Sequence, residues 1–137
     1  MPSSVLQMKF LDSAGDTHPA AIWIPGTVIM DNVDMAGGVD WLAYHSPQAY
    51  AAGDSPVQGG QHHTALGRAL YAGVSAFPIP AGATTYGQVT MAALVYLAQN
   101  VLDTPAPPNA DGSTATNPDG SPEMRSFFVS ATIITLP

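Results

Sequence analysis

The sequence predicts a small, β-rich α+β domain: an antiparallel sheet or sandwich with one main helix and a long irregular loop. Three observations carry that expectation. Short apolar segments in the first half alternate with polar residues and are separated by Gly, Pro, Asp and Asn clusters. One stretch, residues 85–102, repeats its apolar residues at helical spacing behind a capping-box pattern. The chain then closes on a β-branched and aromatic run, "RSFFVSATIIT". With 137 residues there is material for one domain, 1–137, with a real core.

Residues 4–11 alternate. Leu6, Met8 and Phe10 face one way, and Val5, Gln7 and Lys9 the other, which predicts a half-buried strand. "DSAGD" is a turn cluster. A second strand is expected over residues 20–24, interrupted at Pro25-Gly26 by a bulge or strand end and continued over residues 27–30. "DNVDMAGGVD" reads as a hairpin-like link, and residues 39–44 as the following strand. Ser46 as cap, Pro47 at the first helical position and Gly53 at the end predict a short helical turn over residues 47–52. Residues 57–64, "VQGGQHHT", read as a polar strand edge weakened by Gly59-Gly60.

In the helix, Thr85 and Gln88 form the capping box, and Tyr86, Val89, Ala93, Leu94, Leu97 and Val101 form the expected apolar stripe. Asp103-Thr104-Pro105 stops it. Residues 104–123 have no apolar periodicity and are rich in Pro, Asp, Asn and Gly, which predicts a flexible or partner-ordered loop. Its two Asp-Gly-Ser steps, at Asp111 and Asp119, are turn signals. The closing run, residues 125–135, is the strongest strand pattern and calls for a central or well-covered place. Pairing of the first and last strands is expected.

Charge excludes several functions. Only 9% of residues are charged, and ten acidic residues face three basic ones, Lys9, Arg68 and Arg125. Three cations make no footprint for phosphates, so neither nucleic acid nor an anionic membrane is an expected partner. There is no cysteine, which excludes disulfides, zinc-thiolate sites and thiol catalysis. No secretory signal pattern opens the chain, and its longest apolar-rich run is too short to span a bilayer.

Four histidines are the natural candidates for chemistry. His62 and His63 are adjacent, and on a strand adjacent side chains diverge to opposite faces. No H-x-H, H-x-x-x-H or H-E-x-x-H spacing occurs, and His18 and His45 stand at turn positions. The expectation is therefore no metal, no cofactor and no catalytic residue, with His62 and His63 as polar contacts on a strand edge. "GVSAF", residues 73–77, lacks the second glycine of a nucleophile elbow. The aspartates sit in turn clusters, and "DNVD" is a weak cation signal. Trp23 and Trp41 lie within strand patterns and suit either the core or an inter-subunit anchor.

"FLDSAGDTHPAAIWIPGTVIMDN", residues 10–32, resembles the N-terminal hairpin of a diffuse group of small tailed-bacteriophage proteins. These open with a strand, a D-S-x-G turn, a His-Pro step and a Trp- or Tyr-containing strand. "YHSPQAYAAGDSPV", residues 44–57, is similar to their next segment. The resemblance covers the first 60 residues and rests on turn chemistry. It implies a virion structural protein of the head surface or of the tail and fibre region, made in the host cytoplasm, and carries over no catalytic residue.

The combined expectation is a non-enzymatic, multi-copy assembly subunit, a capsid-decorating or cement protein or a tail-associated one. Its partners are copies of itself and other virion proteins. Expected contact elements are residues 104–123 (with Pro107 and Asn117), the arm before Val5, and residues 57–64 with His62 and His63. Trp23 and Trp41 complete the expected contact set. A glycan- or receptor-binding adhesin module is the alternative and needs exposed aromatics on one face. A hydrolase comes third.

Overall fold

The computed structural model describes residues 3–67 and 86–136. The elements are β1 (Ser3–Gln7), β2 (Phe10–Leu11), β3 (Thr17–His18), β4 (Ile22–Asp31), β5 (Ala36–Tyr44), α1 (Pro47–Ala51), β6 (Gln61–Gly67), α2 (Tyr86–Asn100), β7 (Thr104–Pro105), β8 (Met124–Arg125) and β9 (Thr132–Leu136). Five strands form one antiparallel sheet in the order β6-β5-β4-β1-β9. Two small ribbons, β2-β3 and β7-β8, stand beside it. The β-rich α+β class expected from the sequence is the class observed, and the first and last strands pair from Ser3↔Leu136 to Gln7↔Thr132.

Pro25-Gly26 does not end the second strand. β4 runs through it, and the register with β5 shifts between Pro25 and Thr27. Proline has no N–H to give the ladder, so a bulge is where it is tolerated. In the hairpin turn, Asp31 Oδ1 accepts from the N–H groups of Val33 and Asp34 at 2.9 and 3.1 Å. Met35 takes φ 53° there. In α1, Ser46 Oγ accepts from Ala49 N at 3.1 Å, the cap that the sequence pattern called for.

The main core joins Leu6, Trp23, Val39, Trp41, Ala43 and Leu66 of the sheet to Leu94, Val95 and Ala98 of α2 and to Phe128. Trp23 is met edge-on by Phe10, Phe127 and Phe128, with centroids 5.2, 5.3 and 5.6 Å away. Trp41 Nε1–H donates to Thr64 Oγ1 at 3.0 Å, so this indole is buried with its polar atom partnered. A second cluster, Val5, Ile22 and Leu136 with Ile24, Tyr44, Met91 and Ile134, occupies the other face.

Four expectations are corrected. β1 is not half-buried: Val5 and Leu6 are both buried, because β1 lies between β4 and β9 with apolar clusters on both faces. The closing run is not one strand. Residues 127–130 form a turn held by Ser126, whose hydroxyl donates to Ala98 O and accepts from Phe128 N–H, and β9 is an edge strand.

The buried face of α2 is Gln88, Ala92, Leu94, Val95 and Ala98, which shares only Leu94 with the expected stripe and lies well round the helix from it. The helix is apolar nearly all round, so periodicity alone could not choose a face. Small Ala92 and Ala98 let the helix approach its neighbours closely. Thr85, the expected cap, lies outside the described residues.

Residues 104–123 are not a featureless loop. β7 and β8 close it, and inside it one turn is built twice. Asn109 N–H donates to Ser113 O and Ser113 N–H to Asp111 Oδ1; Asn117, Ser121 and Asp119 repeat both bonds eight residues later.

Candidate functional site

Strand register decides the fate of the histidine pair. His62 stands opposite Trp41, and His63 opposite Asp40, so the two point to opposite faces of β6, as alternation predicts. They are not equivalent polar contacts. His62 lies parallel to Phe127, with centroids 3.9 Å apart, and its Nε2 is 2.9 Å from Asp103 Oδ2. Asp103 Oδ1 accepts from Phe127 N–H and Thr104 Oγ1–H. His62 is thus clamped, and Asp103 ties β6, the start of β7 and the 127–130 turn together. It is a structural link, and its expected role as an exposed contact is corrected.

His63 Nδ1 meets Asp40 Oδ1 at 2.7 Å, with both side chains about half exposed. Its ring lies over Gly38, where a Cβ would come within 2.8 Å of Cε1. A cavity of about 430 Å³ is lined by Asp40, Trp41, Leu42, Gln61, His62 and His63. Each histidine has a carboxylate, but they do not converge. The segment 73–77, with its serine, lies outside the described residues.

Trp23 and Trp41 are fully buried. They are core residues, not contact residues, because the sheet and α2 close over them. Pro107 and Asn117 are exposed, and Asn117 also holds its own turn. Ser3 and Ser4 are paired strand residues of β1, so they form no free arm; residues 1 and 2 lie outside the described residues.

Two features were not legible in the sequence. The first is the distal half of the β4–β5 hairpin. Val28, Ile29, Met30, Val33 and Met35 are all exposed, by 40 to 91%. For Ile29 and Met30 the exposure has a local cause: Ile29 pairs with Gly38 and Met30 with Gly37, so no side chain directly across the ladder covers them. The signal was present in "TVIM…GG", but only the register shows that the glycines face the apolar residues.

The second is a chain of three polar side chains. Asp12, in the β2–β3 turn, places Oδ2 2.7 Å from His18 Nε2, and His18 Nδ1 lies 2.6 Å from His45 Nδ1. Asp12 Oδ1 accepts from Ala14 and Asp16 N–H. The His18 hydrogen bond, then those N–H donors, hold the Asp12 carboxyl below the ordinary aspartate range. With Asp12 ionised and both rings neutral, His18 Nε2–H donates to Asp12, and His45 Nδ1–H donates to His18 Nδ1. Six and 27 residues separate the members, so no local motif marks them. Among the described residues, no group of three or more His, Asp or Glu side chains is arranged to hold a metal ion. No known family model, curated protein or solved structure matches this chain.

Proposed function

We propose that this chain is a non-enzymatic structural protein of a tailed-phage virion, a multi-copy subunit that decorates the capsid or joins the tail and fibre region. The carrying observation is the exposed apolar half of the β4–β5 hairpin. A projecting ladder with uncovered Val, Ile and Met side chains is a surface that another protein surface covers. The scarcity of charge supports the same reading, since an interface made from this surface strands few ions. The phage context rests on the resemblance of residues 10–32 and 44–57. The adhesin alternative loses its aromatic platform, because Trp23 and Trp41 are both buried.

Protein inventory of purified virions that encode the chain tests the reading. It predicts the chain in the particle, at hundreds of copies for a head role and a dozen or fewer for a tail role. A strictly monomeric chain absent from virions overturns it.

A further inference from the structure

We infer that His18 and His45 form a binding site for a late first-row divalent cation, with Asp12 as the carboxylate that orients it. The observation is the convergence of two imidazole Nδ1 atoms at 2.6 Å, from β3 and from the residue that follows β5. Neutral imidazole is the commonest protein ligand for Zn²⁺ and Cu²⁺. A ligating histidine characteristically gives its other ring N–H to a carboxylate, which sets its tautomer and raises its basicity. His18 has that arrangement before any ion is present: Nε2–H is held by Asp12, and Nδ1 is left with its lone pair directed at His45.

Asp12 is itself held. Its other oxygen accepts from Ala14 and Asp16 N–H at 2.9 and 2.8 Å, so the orienting group is fixed by the turn.

An ion is accommodated by a small displacement. Metal–nitrogen bonds of 2.0–2.1 Å at a tetrahedral angle put two nitrogens about 3.3 Å apart. His45 is exposed at the start of the β5–α1 connection and can swing outward by the difference. The proton that now bridges the rings moves to the other ring nitrogen of His45 as that ring changes tautomer, so no proton is lost. With two protein nitrogens, water fills the remaining positions. No third protein ligand joins them among the described residues. His62 and His63 do not compete in this way, since each faces a separate carboxylate on a separate face of β6. This site stands independently of the assembly reading.

The test uses the untagged full chain with Zn²⁺ by titration calorimetry and Cu²⁺ by electron paramagnetic resonance. Expected are one saturable equivalent and a Cu²⁺ spectrum with two nitrogen couplings. His45→Gln should weaken binding at least tenfold, and Asp12→Asn 10- to 100-fold, the usual cost of losing an orienting carboxylate. The half-exposed His63 serves as the control, and His63→Ala should bind as the unaltered chain does. His45 is exposed, so His45→Gln keeps the test valid if His18→Ala fails to fold. No saturable binding, or binding unchanged by His45→Gln or Asp12→Asn, overturns the proposal.

Discussion

At the scale of single residues, close approach and partnering decide what can be changed. Gly60 gives its carbonyl to Ala43 N–H, and a Cβ on it would meet the Ala43 Cβ at 2.7 Å and Val57 O at 3.0 Å. Backbone and a core alanine cannot move aside cheaply. Gly60→Ala should therefore destabilise the fold by about 1–3 kcal/mol, read from the midpoint of urea unfolding.

The two histidine–carboxylate pairs on β6 should separate in double-mutant cycles. His63–Asp40 is about half exposed on both sides and should couple by only about 0.2–1 kcal/mol. His62–Asp103 is mostly covered and adds the Phe127 stack, so a larger coupling is expected. Equal couplings would remove the structural role assigned to Asp103.

Asp111 and Asp119 are held below the ordinary aspartate value of about 3.9 by the Ser113 and Ser121 hydroxyls, then by the N–H groups of the same serines. Their folded pKa is depressed. The stabilisation they bring is therefore complete above that ordinary value and is lost as pH falls through the lower folded value. Carboxyl chemical shifts followed through an acid titration should show both titrating late, with the two turns loosening together.

At the scale of elements, two pieces carry opposite duties. The 127–130 turn buries Phe128 against Trp23 and Trp41, within a segment that reads as strand from its composition. Phe128→Ala should cost about 3–5 kcal/mol, measured by chemical denaturation. The distal β4–β5 hairpin packs little of its own apolar surface. Ile29→Ser with Met30→Ser should change stability by no more than about 0.5 kcal/mol for each site. The same double change should abolish particle binding or self-association, followed by sedimentation, if the hairpin is the assembly contact. Loss of folding instead would show that the hairpin is part of the core.

At the scale of the whole molecule, the sheet closes by joining the two ends of the chain. β1 is buried on both faces and is flanked on one side by β9 alone. Removing residues 132–137 should leave β1 with an open edge and an exposed Val5, and cooperative unfolding should be lost. Near-ultraviolet circular dichroism of the two buried tryptophans reads that loss directly.

Local chemistry was sufficient for much of this protein. The β-rich class, the Ser46 cap, the turn aspartates, the helix as an element and the divergence of His62 from His63 all follow from neighbours a few residues apart. Spacing and rotamer geometry set them without knowledge of the fold. The buried face of α2, the edge position of β9, the clamp on His62, the uncovered hairpin and the Asp12–His18–His45 chain follow from tertiary structure alone. Each depends on which distant segment lies alongside, and that is settled by strand register and by burial of apolar area across the whole chain, a sum to which no local window has access.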